Sequence, residues 1–343
     1  MKPDEAVLTV SDLRVTFTGN GRTVHAVNGL SYQLQKGSTL AIIGESGSGK
    51  SVSVRALMGL LSPTAQVSGS ARISDVELVG LPDHEMRRLR GTDLAMIFQD
   101  PSRSLNPTMK IGLQIVEAVC AHEKVERRQA VERGIELLRL VRLPAPERRF
   151  HEYPHQLSGG MRQRIMIALA LVLQPSFVVA DEPTTALDVL VEAQIIGILA
   201  DLRRNFDTAL LFITHNLGIV AETCDRVAVM YAGRIVEQGP VRDVFARPQH
   251  PYTRELLRST ISLSTTGLHY IPGAPPDLID PPPGCRFHPR CPEAMRVCRE
   301  QFPVPVEAAA QTVECWLHGP HDLVPEGGTE PMPREEITVA DEA

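Results

Sequence analysis

A glycine-rich segment that ends in a lysine and a serine carries the strongest chemical signal in the chain. Its residues are Gly44, Glu45, Ser46, Gly47, Ser48, Gly49, Lys50 and Ser51. They follow an apolar run and precede a helical pattern, which is the context in which G-x-x-x-x-G-K-[ST] forms a phosphate-binding loop. In such a loop backbone N–H groups surround phosphate oxygens, the lysine reaches the β- and γ-phosphates, and the serine hydroxyl can bind Mg²⁺. The segment therefore predicts a site for the phosphates of a nucleotide.

Two adjacent carboxylates, Asp181 and Glu182, follow the apolar run Phe177–Ala180. A phosphate-binding loop of this type needs a second metal ligand at the end of a neighbouring strand, and Asp181 can supply it through water. Glu182 is then placed to polarise the attacking water as a general base. The pair predicts hydrolysis at the phosphate site, with an exposed acid at a strand end as the ordinary alternative for Glu182.

A second helix end that favours anions is expected at Ser158, Gly159 and Gly160. Ser158 can cap the apolar helix that follows, and the two glycines leave its first N–H groups unobstructed. Taken alone, this short pattern is equally typical of an ordinary helix cap.

Short apolar runs alternate with helical patterns over roughly the first 260 residues, and this alternation predicts an α/β fold with a parallel sheet. Buried parallel strands are short, almost wholly apolar and bounded by polar or turn residues. The runs of this kind are Leu40–Ile43, Phe177–Ala180, Ala209–Ile213 and Val227–Tyr231. Helices are predicted at Val52–Leu61, Arg127–Val141 and Val191–Asn205, together with a helical insert at about 100–160.

The charge of the chain gives no support to a dedicated nucleic-acid binder, although a local basic patch is not ruled out. The formal charge is −6 over 343 residues, and the acidic tail from residue 322 onward accounts for all of it. The remaining chain is balanced and lacks the basic footprint of such binders. The longest nearly apolar run, Ile165–Leu173, is far shorter than the roughly 20 residues of a membrane span. The N-terminus lacks the apolar region of a secretory signal, so the chain is expected in the cytoplasm.

Four of the six cysteines lie together near the C-terminus, at Cys285, Cys291, Cys298 and Cys315. In a reducing cytoplasm, clustered cysteines more often bind metal than form disulfides. The close C-x2-4-C pairs that are typical of structural zinc are absent, whereas four thiolates at wider spacing can hold a [4Fe–4S] cluster. Zinc, with His288 or His318 as a further ligand, and ordinary reduced thiols remain alternatives.

The motifs, in their order and spacing, resemble those of ABC-type ATPase subunits. The Walker A loop is Gly44–Ser51, and the Walker B strand is Phe177–Glu182. Between and after them come the Q-loop residue Gln99, the signature Leu157–Gln163, the D-loop Ala186–Asp188 and the switch residue His215.

This resemblance implies a role for each matching residue. In this family the signature of one subunit contacts ATP on the Walker A loop of another. The resemblance therefore implies that Ser158, Gly159, Gly160 and Gln163 contact the ATP of a partner subunit in a dimer, and it identifies Asp188 as the D-loop residue. Gln99, with Ser51 and Asp181, is implied as a Mg²⁺ ligand. His215 is implied to contact the γ-phosphate, so the catalytic set is Glu182, His215 and Gln99. Phe17 lies where the family places an aromatic ring on adenine, with an ordinary strand core residue as the alternative.

Several stretches outside these motifs resemble the oligopeptide/dipeptide importer branch of the family. They are Gln99–Pro107, Asp181–Val189, His250–Leu257, residues 271–273 (IPG) and residues 284–292 (GCRFHPRCP). Members with this cysteine pattern resemble cluster binders. The branch implies an ATPase that powers import of di- or oligopeptides at the cytoplasmic face of the membrane. The implied partners are a second ATPase subunit, two membrane permeases and an extracytoplasmic binding protein, with no nucleic acid.

The composition of the chain and the resemblance together predict the domain organisation. We expect a P-loop ABC ATPase domain over residues 1–263, with a parallel-sheet core, an antiparallel β edge and a helical subdomain at about 100–160. A loop-rich, cysteine-containing extension is expected over 264–321, followed by a disordered acidic tail over 322–343. Import of nickel or another small solute, and a non-transport ABC ATPase, are the alternative functions.

Overall fold

The computed structural model describes residues 6–19, 21–185, 187–259, 269–320, 323–325 and 327–332. The strands are β1 (Ala6–Gly19), β2 (Arg22–Gln35), β3 (Thr39–Ile43), β4 (Ala65–Ile73), β5 (Val76–Glu77), β6 (Leu94–Ile97), β7 (Phe177–Asp181), β8 (Ala209–Ile213), β9 (Arg226–Tyr231), β10 (Arg234–Pro240), β11 (Val306–Ala308) and β12 (Gln311–Val313). The helices are α1 (Lys50–Leu57), α2 (Asp83–Leu89), α3 (Pro101–Ser104), α4 (Ile111–His122), α5 (Arg127–Leu140), α6 (Pro146–Arg149), α7 (Gly159–Leu171), α8 (Val189–Phe206), α9 (Leu217–Thr223), α10 (Val241–Ala246), α11 (Pro251–Arg258) and α12 (Val297–Glu300). Short 3-10 turns occur at Pro154–Gln156 and His288–Arg290.

The described residues divide into two compact units. The first comprises the described residues within Met1–Thr9, Gln33–Thr39 and Arg72–Thr214. The second comprises the described residues within Val10–Tyr32, Leu40–Ala71 and His215–Ala343. None of the helices in the described ranges is both long and apolar enough to cross a bilayer.

The core of the first unit is a parallel arrangement of β6, β7 and β8. β7 lies between the other two, with Val179 opposite Met96 on one side and Leu211 on the other. Every residue of the three strands is buried, as expected of short apolar runs covered on both faces. The sequence predicted β7 and β8. It did not predict β6, which is a strand of only four residues.

The insert at residues 100–160 contains helices and one 3-10 turn, and no residue of it forms a strand. Its helices α4 and α5 pack together, and Gly112 of α4 lies directly against the Phe150 ring. A Cβ atom added at Gly112 would lie 2.1 Å from ring carbons of Phe150, so this contact requires a glycine.

The second unit contains strands in the order β11-β12-β10-β9-β3. β3 and β9 are parallel, with Ile42 opposite Ala228. The remaining pairs are antiparallel, and β10 joins β12 with Glu237 opposite Val313. The C-terminal extension therefore adds two strands to the edge of this sheet.

The rest of the extension has few regular elements and a small core of its own. Val297, Cys298 and Trp316 are buried there, with Cys285 and Met295 packed against them. Part of the tail that was predicted to be disordered, residues 327–332, forms backbone hydrogen bonds with residues 294–297, and its Met332 side chain is buried. Residues 322, 326 and 333–343 of that tail, and the predicted boundary at 263/264, lie outside the described residues.

Candidate active site

The backbone of the Walker A loop passes so close to neighbouring strands that a Cβ atom at two of its glycines would clash with backbone atoms. Gly44 and Gly49 have φ angles of 150° and 100°, which favour glycine. A Cβ atom at Gly44 would lie 2.0 Å from the carbonyl oxygen of Met230, and one at Gly49 would lie 2.3 Å from that of Ala26. The loop shape therefore depends on these glycines, as the motif predicted.

The Lys50 side chain folds back into the loop. Its Nζ atom donates hydrogen bonds to the carbonyl oxygens of Gly44 and Glu45, each at 2.8 Å. Lys50 is 7 % exposed and begins α1. The loop thus places a cation beside the first N–H groups of a helix, and both favour phosphate oxygens.

The outer side of the Walker A loop is held by residues of the C-terminal half of the chain. The Glu45 N–H donates to the Tyr252 hydroxyl at 2.9 Å, and the Glu45 carboxylate accepts two hydrogen bonds from Arg290. Neither Tyr252 nor Arg290 was predicted as a site residue. Both lie in stretches that carried the resemblance to the importer branch, and that resemblance was the only available signal.

The carboxylate of Glu182 is oriented by two side chains of the first unit. The Gln99 amide and the Thr185 hydroxyl both donate to Glu182 Oε2 at 2.9 Å. Glu182 has a φ angle of 47°, and its N–H donates to the Ile213 carbonyl oxygen at 2.9 Å. A non-glycine residue at positive φ is uncommon, and such residues cluster at functional sites. Asp181 ends β7 and is 2 % exposed.

The signature forms the start of α7, and Ser158 caps this helix as predicted. Ser158 Oγ accepts a hydrogen bond from the Met161 N–H at 3.4 Å. Gln163, one turn later, is 2 % exposed and donates to the Pro183 carbonyl oxygen at 2.6 Å. The Gln163 side chain therefore ties the signature helix to the turn that follows Glu182.

The D-loop residue Asp188 caps α8. Its Oδ1 atom accepts a hydrogen bond from the Val191 N–H at 2.9 Å. The next two residues, Val189 and Leu190, are 79 % and 77 % exposed. Ala186, the first residue of the predicted D-loop, lies outside the described residues.

The predicted site residues are divided between the two units. Gln99, Asp181, Glu182, Asp188 and the signature belong to the first unit. The Walker A loop, Phe17 and His215 belong to the second unit. Phe17 is half-buried near the end of β1, and His215 is exposed shortly after β8.

The four C-terminal cysteines are free thiols in the second unit. Burial raises the pKa of Cys285 and of Cys315 to about 12, and also raises the pKa of Cys291 and Cys298. Each sulfur accepts a backbone hydrogen bond, such as the one from the Met295 N–H to Cys298 Sγ at 3.5 Å, which lowers the pKa by a smaller amount.

Four cysteine thiols are ligands of the kind that a thiolate-bound metal or cluster requires. They lie close enough together that neighbouring cysteines contribute to the raised pKa of Cys285 and of Cys291. Within the described ranges, however, no three His, Cys, Asp or Glu side chains are grouped as ligands of one metal ion. The metal site, with or without His288 and His318, therefore stays a prediction.

Comparisons with known proteins agree with these motifs. Residues 27–185 match a family model described as "ABC transporter", and residues 236–298 match one described as "Oligopeptide/dipeptide transporter, C-terminal region". The dipeptide transport ATP-binding protein DppD of Bacillus subtilis (strain 168) is 49 % identical over 318 residues, which is 91 % of this chain and 95 % of that protein. The chain belongs to the oligopeptide/dipeptide family of ABC transporter ATP-binding subunits.

Further members of this family and a solved structure extend the likeness. The oligopeptide transport ATP-binding protein OppD of Escherichia coli (strain K12) is 49 % identical over 302 residues, which is 88 % of this chain and 90 % of that protein. A dimeric, post-hydrolysis structure of the ATP-binding cassette MJ0796, bound to ADP and Pi, is 25 % identical. It matches with a TM-score of 0.62 over 68 % of this chain and 99 % of its own. The chain therefore has the ABC ATPase fold, a mixed-sheet α/β fold, and is an ABC-type ATPase, as predicted.

Proposed function

We propose that this chain is the ATP-hydrolysing subunit that drives import of di- or oligopeptides. The observation that carries the proposal is the match of residues 236–298 to the oligopeptide/dipeptide C-terminal region. This region includes most of β10, all of α11 and three of the four clustered cysteines. It also contributes Tyr252 and Arg290 to the wall of the Walker A loop. Relatives that are named for dipeptide and oligopeptide transport extend the likeness over most of the chain.

The proposed chemistry assigns roles to the residues described above. Lys50 and the Walker A backbone bind the phosphates, and Phe17 stacks on the adenine ring. Glu182 polarises the attacking water, held in orientation by Gln99 and Thr185. His215 contacts the γ-phosphate.

Magnesium is the metal implied by this chemistry, and the residues present are of the kind that binds it. Ser51, Gln99 and Asp181 offer a hydroxyl, an amide oxygen and a carboxylate, which are the oxygen ligands that Mg²⁺ prefers. When bound, Mg²⁺ neutralises charge that develops on the β- and γ-phosphates.

The proposed assembly pairs this chain with a second ATPase subunit. The signature residues of this chain, Ser158, Gly159, Gly160 and Gln163, contact the ATP that is bound to the partner. The exposed apolar side chains of Val189 and Leu190, next to Asp188, support an interface at this point. Two membrane permeases and an extracytoplasmic peptide-binding protein complete the transporter. The chain would then work at the cytoplasmic face of the membrane.

The test of the transport role uses the chain co-purified with its permeases and reconstituted in proteoliposomes with the binding protein. We expect ATP-dependent uptake of a labelled tripeptide, and loss of that uptake in Glu182→Gln. A glutamine keeps an oxygen that can accept the bonds from Gln99 and Thr185, so the variant still folds and binds ATP but lacks the base. Glu132→Gln, on the exposed face of α5, is the matched control.

Three other results would redirect or refute parts of the proposal. Uptake of Ni²⁺ without uptake of peptide would assign the chain to a metal importer. Association with ribosomes or DNA, and none with permeases, would refute a transport role altogether. Near-normal hydrolysis by Glu182→Gln would refute the assignment of the base.

For the cysteine-rich extension we propose a [4Fe–4S] cluster held by Cys285, Cys291, Cys298 and Cys315. Three buried thiols and the partly buried thiol of Cys285 lie in one segment, and each accepts a backbone N–H. They support the proposal, since such hydrogen bonds stabilise cluster thiolates. The measurement is iron, acid-labile sulfide and zinc in anaerobically purified protein, with the visible absorption spectrum. About four irons and four sulfides per chain are expected. Zinc, or no metal, would refute the cluster and leave the ATPase role unchanged.

A further inference from the structure

The side chain of Glu45, the second residue of the Walker A loop, is held by an arginine from the C-terminal extension. Arg290 NH1 donates to Glu45 Oε2 at 2.7 Å, and Arg290 NH2 donates to Glu45 Oε1 at 3.0 Å. This is a bidentate pair, the strongest common geometry for an arginine and a carboxylate.

The Arg290 guanidinium is itself fixed by several neighbours. Its Nε atom donates to the Pro272 carbonyl oxygen at 2.7 Å, and NH2 donates to that of Ile271 at 3.3 Å. NH1 also donates to the Tyr231 hydroxyl at 3.2 Å. The Arg290 side chain is 6 % exposed and that of Glu45 is 24 % exposed, so water competes little for this pair.

The pair is connected to the phosphate site through a single residue. The Glu45 carbonyl oxygen accepts a hydrogen bond from Lys50 Nζ at 2.8 Å, while the Glu45 carboxylate accepts from Arg290. A displacement of Glu45 would therefore move a backbone acceptor of the phosphate-binding lysine. Arg290 contacts the Walker A loop at the Glu45 carboxylate.

We propose that Arg290 is a positioning residue for the Walker A loop, and that the C-terminal extension thereby contributes to the ATP affinity of the chain. Without Arg290 the partly buried Glu45 carboxylate loses its counter-charge, and the loop shifts to solvate it. A lysine in place of the arginine restores the charge without the bidentate geometry, and thus restores only part of the effect.

The proposal predicts a change in binding more than in turnover. For Arg290→Gln we expect the Kd for ATP and the KM to rise about tenfold, which corresponds to about 1.4 kcal/mol, with kcat within about twofold of the wild type. Arg290→Lys is expected to give an intermediate Kd. Loss of a purely structural contact would lower the stability of the chain without this separation of KM from kcat.

The experiment measures the Kd of a fluorescent ATP analogue, kcat, KM and Tm for Arg290→Gln, Arg290→Lys, Glu45→Gln and the double variant Glu45→Gln/Arg290→Gln. The matched control is Glu293→Gln, which removes the 2.6 Å ion pair between Arg254 and Glu293 in the same segment without contacting the Walker A loop. If Arg290 acts through Glu45, the double variant binds ATP no more weakly than the weaker single variant. A wild-type Kd in folded Arg290→Gln, or additive losses in the double variant, would overturn the proposal. If Arg290→Gln fails to fold, a wild-type Kd in Arg290→Lys would overturn it equally.

Discussion

Lowering the pH from about 7 to about 5 is expected to destabilise the fold through one buried histidine. His250 is 1 % exposed and caps α11, where its Nδ1 atom accepts a hydrogen bond from the Tyr252 N–H at 3.0 Å. Its Nε2 atom is buried and has no hydrogen-bond partner among the described residues. Burial, followed by the charges of the nearby Arg254 and His318, lowers the pKa of His250 from 6.5 to about 3. Protonation of Nδ1 would also end its role as the acceptor of the cap.

The size of the effect follows from this pKa. The unfolded chain binds a proton at His250 below about pH 6.5, whereas the folded chain binds it only near pH 3. The contribution of His250 to the free energy of unfolding is therefore fully present above about pH 6.5. It falls by about 1.4 kcal/mol per pH unit as the pH drops between these two values. Between about pH 7 and about pH 5 the expected loss from this residue is about 2 kcal/mol.

The assay compares the wild type with His250→Asn by chemical denaturation at both pH values. Asparagine is a favourable helix cap and keeps an acceptor for the Tyr252 N–H, but it does not titrate. The free energy of unfolding of the variant should fall less than that of the wild type, by about 2 kcal/mol. His84→Asn, at a side chain that is 71 % exposed, is the control. Its free energy of unfolding should fall between the two pH values by as much as that of the wild type. Equal pH dependence in His250→Asn and the wild type would refute the reasoning.

Three further substitutions test other contacts. Gly49→Ala places a Cβ atom 2.3 Å from a backbone carbonyl oxygen, so we expect a folded chain with no measurable binding of a fluorescent ATP analogue; retained binding would contradict this. Glu237→Ala leaves two backbone N–H groups without their buried acceptor, and should lower the free energy of unfolding in urea by about 3 kcal/mol; a loss below about 1 kcal/mol would mean that other groups replace it. Ser158→Ala removes the cap of α7 and should cost about 1 kcal/mol in the same urea assay, while an unchanged midpoint would show that the cap is dispensable.

The strands that were predicted from the sequence are the ones that are buried on both faces. In β7 and β8 every residue is buried, and a strand that is buried on both faces appears in the sequence as a run of apolar residues. β1 and β2 mix buried and exposed positions along 14 residues each, so no uniform apolar run marks them. β6 is buried throughout, but a run of four residues is too short to distinguish from chance.

Site residues were predicted where the chemistry is local in the sequence. The cap at Ser158 depends on the N–H of Met161, three residues later, and the Walker A loop is marked by a motif of eight consecutive residues. The contact between Glu45 and Arg290 joins residues that are 245 positions apart, and no local pattern encodes it. The positive φ angle of Glu182 is likewise imposed by its surroundings, since nothing about a glutamate favours that conformation.

The pairing of β12 with β10 has a consequence for shortened versions of the chain. The outer edge of β10 carries backbone N–H and C=O groups, and residues 312 and 313 lie opposite Gln238 and Glu237 along it. A truncation that removed the chain from Val306 onward would leave this edge open to pairing with strands of other molecules. We expect such a truncated protein to aggregate even if its ATP site were intact, so that the last two strands protect the solubility of the ATPase.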